Sequence, residues 1–266
     1  MTAKMTREER QARIVELIIE RGSFRVEDLS EYFGVSQMTL YRDLAALESR
    51  QMISRHRGTV CLLVSSISEA PFSFRLRQER EAKESVARAA AKLVATCSTI
   101  FIDDSSSAYY ALEHIDIPEA KAFITNALPA AHAIGAGEHQ SLTLLGGRHI
   151  RQLDAFFGPA TTRQVNELAF ETAIFGAAAL RGKSIYHPFS DAALFKQEVI
   201  ARTDMPILAI TASKLNRVAL NRIADLSDFS YLIIDDSISD QELNDLSEFT
   251  NVIVANKEGT DNVRAH

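Results

Sequence analysis

Apolar residues in the first sixty positions recur at helical spacing in three successive runs. Thr6 to Arg21 carries Ile14, Leu17 and Ile18 on one stripe, which predicts an amphipathic helix. Val26 to Leu44, VEDLSEYFGVSQMTLYRDL, predicts two more. Leu29 and Phe33 share one apolar face, and Leu40, Leu44 and Leu47 share another. Gly34 between them can take the left-handed geometry that ends a helix without a Cβ penalty. Val35 is expected to pack between the helices and Ser36 to cap the second. The pattern then changes over ISRHRGTVCLLV, which reads as two short β-rich runs around a tight turn at Arg57-Gly58.

Three helices and a hairpin around one small core predict a winged helix-turn-helix over residues 1–64. Ser36, Gln37, Met38, Thr39, Tyr41 and Arg42 stand at the start of its second motif helix, and Arg55, His56 and Arg57 at the hairpin tip. Donors, acceptors and fixed charge in that arrangement suit base edges and phosphates in a major groove, so these nine residues are the expected DNA contacts. An ordinary helical hairpin would share the central glycine. It would not require the third helix or the basic wing.

Beyond a linker over residues 65–71, SSISEAP, the pattern becomes short apolar strands alternating with helices. The strands are read at 99–103, 122–126, 142–147, 172–177, 207–212, 231–235 and 251–255. Continuous β-branched runs of this kind indicate a largely parallel sheet covered on both faces, so the fold class is α/β. This second domain is expected over residues 72–256, with a flexible polar tail at 257–266.

Charge sharpens the division. Of a whole-chain balance of −6, the first sixty residues carry +1, with ten Lys+Arg against nine Asp+Glu. An acidic body repels DNA, which directs contact to the N-terminal unit. No run approaches the ~20 apolar residues of a membrane span, and no signal peptide is read before the first helix. Cys61 and Cys97 lack metal-ligand spacing and are expected as reduced, buried thiols of a cytoplasmic protein. No metal or cofactor is expected.

In a parallel α/β sheet, ligands collect beyond the carboxyl ends of the strands. There the chain offers Asp103, Asp104, Ser105, Ser106 and Ser107, then Thr125 and Asn126, then Gly146, Gly147 and Arg148. Lys196 follows on a helix, and Ser213-Lys214 after a later strand. Hydroxyls, backbone amides and cations together suit an anionic small molecule. Taken singly, the serine run is equally an N-cap cluster and the lysines equally solvated.

Arg13, Leu29-Ser30 and the run Val35 to Leu44 resemble the N-terminal signature of the DeoR family of bacterial transcriptional regulators. The Asp-plus-hydroxyl loop, Thr-Asn, Leu-Gly-Gly, Phe-Lys and Ser-Lys extend that resemblance in order along the second domain. It implies a domain related to ribose-5-phosphate isomerase and CoA-transferase folds. It also implies a homodimeric or homotetrameric repressor of sugar catabolism, released from DNA by a phosphorylated sugar or similar effector.

Several positions depart from the family pattern. Tyr41 stands where a second basic residue is usual, and Ser105-Ser106-Ser107-Ala108 stands for the Gly-Thr-Thr-Thr loop. An acidic residue usual before the Ser-Lys is absent near Thr211, and FGAAAL lacks a second glycine. Asp104 beside the serines would repel phosphate unless paired. These changes point to an atypical effector. The alternative is a sugar-phosphate isomerase, with Asp103 as base and Lys196 or Lys214 as its partner.

Overall fold

The computed structural model describes residues 5–21, 23–49, 52–62, 68–115, 121–135, 141–256 and 262–264. In the N-terminal unit, α1 (Arg7–Arg21) leads into β1 (Ser23–Arg25), α2 (Val26–Phe33) and α3 (Gln37–Ser49). The hairpin of β2 (Ile53–His56) and β3 (Thr59–Leu62) follows. β1 joins it, giving an antiparallel sheet in the order β1-β3-β2. The expected stripes meet in one core of Ile14, Leu17, Ile18, Leu29, Leu40, Leu44 and Leu47, closed by Val26, Ile53 and Val60.

Two backbone features shape this unit. Gly34 has φ 60° and donates to the Glu31 carbonyl, ending α2 in the left-handed turn. At the wing tip Arg57 and Gly58 both have positive φ, 49° and 78°, as a two-residue hairpin of the right twist demands.

A buried carboxylate ties the first helix to the third. Asp43 is 1% exposed and accepts from Arg7 Nε at 3.1 Å, Arg10 Nε at 2.7 Å and Gln11 Nε2 at 3.1 Å. All three donors lie on α1, so the charge on Asp43 is neutralised and hydrogen-bonded within the core.

The second domain opens with α4 (Phe72–Arg77) and α5 (Arg80–Leu93), then β4 (Thr99–Ile102) and α6 (Ser106–Ala111). β5 (Ala122–Thr125), α7 (Leu128–Gly135) and β6 (Ser141–Leu144) lead to a hairpin of β7 (Arg148–Ile150) and β8 (Ala155–Phe157). Next come α8 (Pro159–Asn166), β9 (Phe170–Phe175), β10 (Ala179–Arg181), β11 (Ser184–His187) and α9 (Ser190–Ile200). The chain closes with β12 (Thr203–Ile210), β13 (Asn221–Asp225), β14 (Tyr231–Asp235), α10 (Asp240–Ser247), β15 (Asn251–Ala255) and β16 (Asn262–Arg264).

The main sheet runs β16-β15-β14-β12-β9-β4-β5-β6, parallel throughout except for β16. Consecutive residues of β4, β9, β12 and β14 are buried, so both faces of the sheet are covered. From β4 the chain moves outward through β5 and β6, then returns to the other side of β4 as β9. The switch point therefore lies between β4 and β9, where a crevice opens at the carboxyl ends.

Five features differ from the sequence reading. A small antiparallel sheet, β10-β11-β13, and the β7–β8 hairpin were not visible in it, because three- to five-residue strands carry little periodicity. Within the expected flexible tail, Asn262–Arg264 pairs with β15 as an antiparallel edge strand. Ser68, Glu69 and Ala70, placed in the linker, are buried, while residues 65–67 lie outside the described residues. Cys61 and Cys97 are free thiols but half-buried.

Candidate functional site

On the reading helix, Ser36 Oγ accepts the Thr39 amide at 3.3 Å and lies 3.0 Å from Thr39 Oγ1. These two hydroxyls are thus engaged in capping α3. Gln37, Met38, Tyr41 and Arg42 project outward, Met38 at 69% exposure. The wing residues divide. His56 and Arg57 are exposed, whereas Arg55 is held by Glu48 at 2.5 Å and lies over the Tyr41 ring, 5.4 Å from its centroid. Arg55 thereby braces the wing against α3.

At the switch point of the second domain, Asp103 follows β4 and Gly176 follows β9. Asp103 Oδ1 accepts the Ser105 amide at 2.8 Å; Oδ2 accepts the Gly176 amide at 3.0 Å and the Lys196 ammonium. Lys196, 3% exposed, also meets Asp104 Oδ1 at 2.9 Å. Burial opposes its charge, yet Asp103 and Asp104 outweigh burial and hold the ammonium above its ordinary pKa. Burial likewise opposes the Asp104 carboxylate, but Lys196 and then Arg75 keep it ionised below the usual range. The repulsive Asp104 of the sequence reading is therefore a paired one.

Gly176 permits this closeness. A Cβ there would stand 2.4 Å from Ser105 Cβ, inside any real contact, so only glycine lets the end of β9 lie against the serine loop. Ser105 accepts the Ala108 amide at 3.1 Å and caps α6. Ser106 and Ser107 line a narrow recess with Asp104, His187 and Lys196. A cleft of about 610 Å³ adjoins it, and Glu69, Arg75, Lys83, Ala178 and Lys214 line both.

The cavity's remaining groups come from elements the sequence reading left out. Arg75, on α4, donates to the Ala70 carbonyl at 3.2 Å and the Asp104 carbonyl at 3.3 Å. Lys83, on α5, donates to the carbonyls of Gln78, at 2.7 Å, and Arg75. Burial and the nearby Lys214 bring its pKa down to about 7. His187 ends β11; burial lowers its pKa to about 4, so the ring is neutral near pH 7. Its Nδ1 accepts the Phe189 amide at 3.1 Å, which places the remaining proton on Nε2. Among the described residues, the Lys214 ammonium has no hydrogen bond or ion pair; burial lowers its pKa, opposed first by Glu69.

Five expected effector contacts lie outside both lobes. Thr125 Oγ1 donates to the Ile102 carbonyl at 2.7 Å, joining β5 to β4. Asn126 Nδ2 donates to the Phe156 carbonyl at 2.9 Å. Gly146 is bonded to Thr161 and Gln164, and Gly147 packs so tightly on Thr161 that a Cβ would lie 2.0 Å from its hydroxyl. Arg148 is exposed and paired with Asp191. The cavity thus gathers Ser105, Ser106, Ser107, Lys196 and Lys214 from the expected set, with Asp103 as the staple beneath.

A winged helix with an open polar face, followed by an α/β domain with a charged cavity at its switch point, is the build of a DNA-binding regulator. The chain belongs to the DeoR family. Residues 10–65 match the DeoR-like helix-turn-helix domain, and residues 78–236 match the DeoR C terminal sensor domain.

The chain is 32% identical to the uncharacterised HTH-type transcriptional regulator YulB of Bacillus subtilis, over 86% of this chain and 89% of that one. The L-fucose operon activator of Escherichia coli is 27% identical, covering 85% and 94%. The glycerol-3-phosphate regulon repressor of the same organism is 27% identical, covering 84% and 88%. A ribose 5-phosphate isomerase from Methanocaldococcus jannaschii overlaps 52% of this chain and 55% of its own, at 15% identity and a TM-score of 0.37. No helix among the described residues is long and apolar enough to cross a membrane.

Proposed function

We propose that this regulator is a cytoplasmic repressor of a carbohydrate-catabolism operon, released from DNA by an anionic, phosphorylated sugar-like effector. The observation that carries the reading is the cavity at the β4–β9 switch point. It brings together the Lys214 ammonium, which has no partner among the described residues, the Nε2–H of His187 and two serine hydroxyls around one recess. Such donors in a low-dielectric recess favour an anion far more than they would in water. Relatives that control fucose and glycerol-3-phosphate regulons agree with a sugar-derived ligand.

One winged helix covers a short half-site, so operator affinity calls for a homodimer or homotetramer on repeated half-sites. Effector weakens DNA binding by preferring the oligomer geometry in which the reading helices no longer match those sites. A catalytic role is disfavoured because Asp103 already accepts from Ser105, Gly176 and Lys196, which commits its carboxylate to the framework.

The test is binding of the purified chain to its own upstream DNA, titrated with sugar phosphates and their unphosphorylated parents. Release by a phosphorylated sugar alone supports the reading. DNA binding that no member disturbs rejects this effector class.

A further inference from the structure

We propose that Glu69 is a direct effector contact, accepting hydrogen bonds from the hydroxyls of a ligand that carries a single phosphate. This rests on the effector reading above and adds to it which ligands the cavity admits. Glu69 is 6% exposed and lines both lobes of the cavity. Its carboxylate accepts one hydrogen bond among the described residues, from the Ala70 amide to Oε1 at 3.2 Å. An ionised carboxylate offers about four lone-pair sites, so most of its accepting capacity faces the cavity unfilled. Burial opposes its charge, but Arg75 and then Lys214, acting through space, outweigh burial and hold the group ionised below the usual carboxylate range.

An acceptor that is open to the cavity can be reached by the hydroxyls of a ligand, and hydrogen bonds to a charged acceptor are the strong ones. Charge sets the second limit. Lys196 is consumed by Asp103 and Asp104, and Glu79 faces the cleft with Glu69. Arg75 is likewise engaged by Asp104, so what remains for an anion is Lys214, Arg217 and Lys83, whose charge is only partial near pH 7. One phosphate is served by that set, whereas a second is driven against Glu69 and Glu79. Position gives the contact its importance. Glu69 stands seven residues after Leu62, the end of β3, and its carbonyl accepts from the Gln152 side chain. A ligand that engages Glu69 therefore acts on the segment leading from the DNA-reading unit.

The experiment is calorimetric titration of the full chain and its Glu69→Gln variant with three- to seven-carbon sugar and polyol monophosphates and fructose 1,6-bisphosphate. The wild type is expected to bind at least one monophosphate and to take the bisphosphate at least tenfold more weakly. Glu69→Gln should weaken the monophosphate by about tenfold or more, the worth of hydrogen bonds to a charged acceptor, without weakening the bisphosphate further. Unchanged operator affinity verifies that the variant is folded; if it is not, Glu69→Asp serves, with the same loss expected. Unaltered monophosphate affinity, or equal loss for both ligand types, overturns the proposal. A wild type that binds no monophosphate overturns the effector reading itself, and this inference with it.

Discussion

The guanidinium of Arg55 lies over the ring of Tyr41, its central carbon 5.4 Å from the ring centroid, while Glu48 receives its charge. The wing is thus braced on the reading helix by one stacked and one ionic contact. Such a stack is worth roughly 0.5–1 kcal/mol at a surface. Tyr41→Ala should therefore weaken operator binding severalfold while leaving the salt dependence unchanged, since no charge is removed. A reduced slope of affinity against salt would show instead that losing Tyr41 also costs a cationic phosphate contact, such as one made by Arg55.

Arg57 behaves differently because it is exposed at the wing tip with no partner among the described residues. Arg57→Ala should lower the slope of log affinity against log salt by about one, the release of one counterion. The measurement is fluorescence anisotropy on operator DNA at several salt concentrations. An unchanged slope would remove Arg57 from the DNA contacts.

Asp43 accepts from two arginines and a glutamine of α1 in the core. Asp43→Asn leaves Arg10, whose side chain is largely buried, without its counter-charge. The expected loss of stability is on the order of 3 kcal/mol, carried mostly by Arg10 because Arg7 is well solvated. Urea denaturation followed by the unfolding of the N-terminal unit measures it.

Gly176→Ala would force a methyl group against Ser105. The serine loop must then shift, and effector binding is expected to fall at least tenfold by the usual sensitivity of a site to about 1 Å of displacement. DNA binding without effector should remain, because no winged-helix residue is touched. Ligand titration and operator binding on the same preparation separate the two.

Lys83 provides a pH signature. Its folded pKa, about 7, lies below the ordinary lysine value of 10.5, so the unfolded chain binds more protons between those limits. Its contribution to stability accordingly increases as pH rises from about 7 to 10.5, and is lost as pH falls through 7. Lys214, also lowered, acts in the same direction. Denaturation across that range should show a shallower rise in Lys83→Met than in the wild type.

Much of the scaffold was legible. Six of the seven parallel strands announced themselves because burial on both faces demands unbroken apolar runs, the edge strand β6 being largely exposed, and Ile14, Leu29, Leu40 and Leu44 reached the core their spacing assigned. The cavity was legible only in part. Ser106, Ser107, Lys196 and Lys214 could be found by looking past strand ends, since the parallel fold directs them there. Arg75 and Lys83 come from the helices that precede the first strand of the sheet, His187 from a strand too short to read, and Glu69 from a segment with linker composition. Nothing in local spacing links those four to the serine loop. Gly147 shows the converse: a strand-end position whose close packing on Thr161 serves the framework.

The Asp43 anchor has one more consequence. Because the tilt of α3 is secured by a carboxylate and leucines on its inner side, the exposed side chains of Met38 and Arg42 hold none of the angle at which the helix is presented, whereas Tyr41 also braces the wing. Those outward residues can be rewritten one at a time while the scaffold stays intact. If those exposed positions contact the operator as expected, address and chassis are separately editable.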